Sequence, residues 1–126
     1  MDGFTLKRID DLASIHHGAV KLAGDELGIE SFGAQVLDFP PGFDDYPEHD
    51  HAGDGQEEVY VVLGGSAEFE VAGERLPTEP GSMLRVAAGT SRTLKAGPEG
   101  VRILAVGCIP GGGYERPDDF RVAARA

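Results

Sequence analysis

His49 and His51 are separated by one residue in the stretch 40–65, PPGFDDYPEHDHAGDGQEEVYVVLGG, and Glu57 and Glu58 follow across a loop, AGDGQ. In extended backbone, successive side chains alternate faces, so the two imidazoles point the same way and Asp50 points the other. Asp50 is therefore set aside as a ligand. A strand beginning at Glu57 or Glu58 brings a carboxylate beside the imidazoles. Two imidazoles and one carboxylate on rigid strands are three arms of a site for a first-row transition metal such as iron, manganese, nickel or zinc. A set of that size leaves coordination positions open for substrate or oxygen.

The elements that must position these residues are mostly strands. The run VYVVL after Glu58 is β-branched and aromatic, and 58–63 reads as a strand. Gly64-Gly65 signals a two-residue turn, with 67–71 as the partner strand. Further strands are expected at 31–39, 73–76, 82–86, 91–95 and 101–109, divided by turns at Pro40-Pro41-Gly42, Pro80-Gly81, 87–90 and Gly97-Pro98-Glu99-Gly100. Before them, Phe4, Leu6 and Ile9 suit a short edge strand, and Asp10 or Asp11 a cap for a helical turn through Ile15. His16-His17-Gly18 interrupts, and 19–27 carries the apolar spacing of a short helix with Gly28 as its stop. His16 and His17 are taken as surface residues of a connector. Many short strands with Gly and Pro turns predict an all-β sandwich or barrel, with 1–30 as an N-terminal extension, 31–110 as the barrel and 111–126 as a tail. Val59, Val61 and Leu63 oppose Tyr60 and Val62 along one strand. Apolar residues on both faces call for burial on both, so a homodimer is expected.

Charge and composition narrow the partners. The chain has 126 residues, with 11 Lys and Arg against 22 Asp and Glu, for a net charge of −11. That is one domain's length, and a surface that repels phosphate backbones and anionic lipid, which disfavours nucleic acid and membrane. The single cysteine, Cys108, lies in the apolar run ILAVGCI and reads as a small core residue in a reducing compartment. No apolar run reaches the roughly 20 residues of a membrane-spanning helix, and the start MDGFTLKRIDD has no apolar signal segment. A cytoplasmic location is expected. No nucleophile elbow, phosphate loop or dinucleotide fingerprint occurs.

The stretch 42–65 resembles the first motif of the cupin superfamily: a glycine, the His-x-His pair, then a glutamate separated from a closing glycine by six residues, as Glu58 is from Gly65. Glu57 with Gly64 gives the same count, so the inward carboxylate is Glu58 or Glu57, with the run VYVVL favouring Glu58. Residues 80–92, PGSMLRVAAGTSR, resemble the second motif, with Gly81 and Gly89 at its glycines, Ala87 at its proline and Arg92 at its metal-binding histidine. The resemblance covers 32–108 and implies a jelly-roll β-barrel with a pocket in its mouth. It also implies His49, His51 and Glu58 as metal ligands.

Arg92 changes the chemistry of that set, because a guanidinium keeps its proton and cannot coordinate a cation. About 4 Å from a dication it would be repelled by several kcal/mol. It is expected either to pair with Glu57 or Glu58, or to face the pocket and clamp the carboxylate or phosphate of a ligand. Tyr60 shares the parity of Glu58 and is expected in the pocket or core, and Phe69 in the core. Asp44, Asp45 and Asp54 read as solvated loop charge. The expected function is a pocket for a small polar or anionic metabolite, run as a metal-dependent dioxygenase- or isomerase-like enzyme on the His-His-Glu set. The alternative is a metal-free binding module built around Arg92, and a third reading has the polar residues merely satisfied inside the core.

Overall fold

The computed structural model describes residues 3–122, so Arg125 and the outermost ends of the extension and tail lie outside the described residues. Among the described residues there are seven strands and one short α-helix: β1 (Ser14–Ile15), β2 (Val20–Lys21), α1 (Ala23–Leu27), β3 (Gly33–Phe39), β4 (Glu57–Val71), β5 (Glu74–Thr78), β6 (Met83–Val86) and β7 (Arg92–Cys108). The strands form one antiparallel sheet in the order β1-β2-β3-β7-β4-β5, with β6 on β4. Its path ends at β1 and β5 and does not close, but the architecture is the expected all-β jelly roll with a short N-terminal helix.

Two expected turns are absent. Gly64-Gly65 and 97–100 lie inside the long strands β4 and β7, which pair on both sides of an irregularity, with register shifts at Val62/Gly64 and Gly65/Ala67 and 97–100 left out of the ladder. Gly65 has φ +68°, and a Cβ there would lie 2.0 Å from the carbonyl oxygen of Gly100. The glycines are there for a bulge and a close backbone approach, which bends a strand without reversing it. Each half of β4 then takes its own second partner: Glu58–Val61 pairs β6, and Ala67–Val71 pairs β5. The reversal falls instead at Ala72-Gly73, both at positive φ (50° and 82°), as a two-residue primed hairpin turn requires.

The N-terminal extension also departs from expectation. Residues 4–8 form no strand, and Phe4 and Leu6 are exposed; an isolated apolar pair with no neighbouring strand gains nothing from extending. Ile9–Asp11 is a single 3-10 turn. Val20 and Lys21 are strand rather than helix because Val20 pairs with both Ile15 and Leu37, which shortens α1 to Ala23–Leu27. His16-His17-Gly18, all at positive φ, is the turn between β1 and β2. The C-terminal segment is docked: the buried carboxylate of Asp25 accepts from the Val122 N–H at 2.7 Å and pairs with Arg116, which also donates to the Ile29 carbonyl.

The core lies between the walls of the sheet. Tyr60, Val62, Phe69, Leu94, Ile103 and Val86 are buried there, and a smaller cluster of Leu12, Ala23, Ala34 and Val36 seats the helix. Val59 and Val61 point outward and Leu63 is exposed. Cys108 is only half-buried at the end of β7, its thiol 3.4 Å from the Ser31 carbonyl, so it is no core residue. The strand has already left the core when it reaches Cys108.

Candidate metal centre

Residues 41–56 form almost no regular structure, yet they carry both histidines. What holds them is a series of bonds to the first half of β7. Gly42 N–H donates to Gly97 O, Ala96 N–H to Phe43 O, and the Thr93 hydroxyl to Tyr46 O at 2.7 Å. His49 and Arg92 then exchange backbone hydrogen bonds at 3.0 and 2.9 Å, an isolated antiparallel bridge. His51 N–H is tied to Ala88 O at 2.7 Å. His49 is thus fixed by backbone pairing to a core strand and His51 by a bond to the turn before that strand, though only one bridged residue of the expected extended segment is present.

Glu58 is the inward carboxylate, 8% exposed, while Glu57 points out and meets Arg85 at 2.6 Å. Gly107 stands opposite Glu58 in the ladder, and a Cβ there would come within 3.1 Å of Glu58 Cγ. Glu58 Oε1 is 3.2 Å from His51 Nε2 and 4.0 Å from His49 Nε2. One ligand atom from each of His49, His51 and Glu58 lies within 4.8 Å of the others. The far sides of both rings are occupied. His49 Nδ1 donates to the Pro47 carbonyl at 2.9 Å, and His51 Nδ1 sits 3.0 and 3.1 Å from the two oxygens of Asp54. Because those partners only accept, each neutral ring carries its proton on Nδ1 and turns the Nε2 lone pair toward Glu58. Outer acceptors of this kind orient histidine ligands and raise their basicity. The set fits a divalent transition metal.

Asp54 is therefore no free loop charge. Burial opposes its ionisation, but hydrogen bonds from the Gln56 N–H and from His51 outweigh burial and hold its carboxyl below the ordinary aspartate value. Asp50, as expected, is no ligand; it caps the Ala52 N–H.

Behind Glu58 lies a hydrogen-bonded chain. Tyr60, fully buried, donates to Glu58 Oε1 at 2.8 Å. Having spent its one proton there, it accepts from Tyr46 at 3.4 Å. Burial raises the Tyr46 phenol to about 12 against the opposing hydrogen bond with Tyr60, and burial followed by the neighbouring Tyr46 and Glu58 raises Tyr60 as well. Both phenols stay protonated and act as donors. Arg92 is 0% exposed, with Nη2 3.9 Å from Glu58 Oε1 and 3.5 and 3.4 Å from the Val86 and Ala87 carbonyls. Its Nε and Nη1 have no protein partner among the described residues. Of the two carboxylates open to it in sequence, Arg92 approaches Glu58.

In front of the set is a cavity of about 600 Å³, whose wall includes His49, His51, Glu58, Gln35, Leu37, Phe39, Phe43, Asp45, Tyr46 and Phe120. Tyr60 and Arg92 lie behind Glu58 and not on that wall. His16 and His17 are exposed, as expected, but border the cavity. Sequence reasoning missed Asp54 and Tyr46. An aspartate three residues after a candidate ligand was a usable signal for the first; the second needed the pairing of 41–56 with β7.

A family profile described as Cupin domain matches residues 35–107, and the chain belongs to that family. In solved structures, a cupin protein from Bacteroides fragilis aligns with a TM-score of 0.73 at 19% identity, over 93% of this chain and 93% of that one. A sugar phosphate isomerase from the cupin superfamily, from Silicibacter pomeroyi, aligns with a TM-score of 0.66 at 19% identity, over 82% and 74%. KdgF from a Halomonas species gives 0.55 at 22% identity, over 71% and 73%. These likenesses are of fold alone. No curated protein matches the chain.

Proposed function

We propose that this cupin is a metal-dependent enzyme, dioxygenase- or isomerase-like, in which His49, His51 and Glu58 hold one divalent transition metal at the base of the cavity. The observation that carries this reading is the convergence of one ligand atom each from His49, His51 and Glu58 within 4.8 Å, with the Nδ1 of both rings engaged on the far side. The metal, when bound, supplies a Lewis acid for an oxygen atom of the substrate. The chain's own residues do the rest. Asp54 and the Pro47 carbonyl hold the rings in orientation, and Tyr60 fixes the oxygen of Glu58 that faces them. Arg92 lowers the net negative charge at the carboxylate, and Leu37, Phe39 and Phe43 keep water from the cavity wall.

Metal atoms per chain, measured on protein purified without chelator or histidine tag, test the proposal. Near one iron, manganese, nickel or zinc is expected, lost in His49→Ala with little change in melting temperature. A chain that takes up none of these metals on incubation overturns it. The buried approach of Arg92 to Glu58 favours a second reading, a metal-free binding module closed by that ion pair. In that case chelators leave ligand binding unchanged.

A further inference from the structure

We infer that the substrate of this site is an uncharged molecule with a flat apolar body, such as an aromatic ring, that meets the metal through one or two oxygen atoms. The inference rests on the metal reading and specifies its substrate class. Three observations carry it.

The first is the row of rings that leads to the ligands. Phe43 and Phe39 have centroids 4.6 Å apart, Phe39 and Tyr46 5.6 Å, Tyr46 and His49 5.4 Å, and His49 and His51 5.2 Å. All five line the cavity, so one wall is a continuous aromatic surface ending at two metal ligands. Such a surface stacks against planar apolar bodies.

The second is charge. Among the described residues no lysine or arginine lines the cavity, whereas Asp45 and Glu58 do. Arg92, the expected clamp for an anion, is fully buried behind Glu58 and engaged with it and with backbone carbonyls. The chain carries −11 overall, so an anionic ligand approaches against the long-range field, and at the site only the metal itself would draw it in. The third is size. About 600 Å³ falls within the roughly 300–1,000 Å³ in which proteins hold small organic molecules.

His16 and His17 at the edge of the cavity are the groups that could still meet an anion. The test must therefore separate an apolar body from a phosphate. Protein loaded with its metal is titrated calorimetrically with benzohydroxamic acid, with acetohydroxamic acid and with ribose 5-phosphate. The two hydroxamic acids offer the metal the same oxygen pair, are uncharged when free in neutral solution, and differ by an aromatic ring against a methyl group. Benzohydroxamic acid is expected to bind at least tenfold tighter than either other probe. Phe43→Ala should erase most of that preference while leaving metal content and acetohydroxamic acid affinity unchanged, which also shows that the variant is folded.

Equal affinity for the two hydroxamic acids, or ribose 5-phosphate binding more tightly than either, overturns the inference. A phosphate affinity that disappears in His16→Ala or His17→Ala would identify the turn as an anion site. If the chain binds no metal, the metal reading fails on its own. The substrate class then stands only if the metal-free protein still prefers benzohydroxamic acid to ribose 5-phosphate and loses that preference in Phe43→Ala.

Discussion

Glu58 accepts from Tyr60, faces two imidazole nitrogens and lies 3.9 Å from a buried guanidinium, all through the same oxygen. Removing any neighbour therefore has a distinct signature. Asp54→Ala frees the His51 ring to rotate, and metal affinity should fall about 10–100-fold, the usual effect of losing such an outer partner. Competition with a chromogenic chelator reads this directly; an unchanged affinity would mean that backbone pairing alone orients the ring. Arg92→Ala leaves Glu58 without its buried counter-charge and should cost about 3–5 kcal/mol in urea unfolding. Arg92→Met, which fills the volume, should lose less only in protein loaded with metal, because the metal then supplies the missing positive charge.

At the scale of the element, the glycines of β4 and β7 separate two uses of one residue type. Gly65 is held at φ +68° against the Gly100 carbonyl, so Gly65→Ala should cost about 1–3 kcal/mol from backbone conformation alone and more from the collision. Gly73, at φ +82° in an open hairpin turn, has no atom within 4 Å of its would-be Cβ. Gly73→Asn should change stability little, since asparagine tolerates the left-handed conformation. Urea midpoints for the two variants settle the comparison. Sequence alone could not tell these glycines apart. Gly64-Gly65 has the look of a turn, and only its approach to β7 shows that the strand runs on.

Across the whole molecule, Arg102 on β7 ties the N-terminal extension to the barrel, 2.6 Å from Asp10 and 2.8 Å from Asp38. Its hydrogen bond and charge hold Asp10 below the ordinary carboxylate value of 3.8. A carboxyl depressed in the folded state contributes stability that is present above about 3.8 and lost as pH falls through its lowered folded value. Asp10→Asn should therefore flatten the acid limb of the stability curve, an effect that shrinks in high salt because Asp10 is exposed. The homodimer expected from two-sided apolar strands remains a proposal, carried by the exposed Leu63 and Met83 on the outer face of the β4 and β6 pair. Sedimentation equilibrium reporting a monomer at high protein concentration would retire it.

The apolar run after Glu58, the His-x-His pair and the turn residues by themselves indicated an all-β fold, and the resemblance they carry pointed to the family, to His49 and His51 and to one of Glu57 and Glu58 as candidate ligands. Those signals are local, and backbone geometry makes them legible in order along the chain. Four matters were decided only by tertiary structure: that Glu58 and not Glu57 turns inward, that Asp54 holds His51, that Tyr46 joins the phenol chain, and that Arg92 sits behind the carboxylate. Each depends on which residues of a distant strand stand opposite. His49 and Arg92 bridge across 41–56 and β7, and Glu58 faces Gly107 across the ladder. Register between distant strands follows from the packing of both walls together, and no single stretch of sequence contains it.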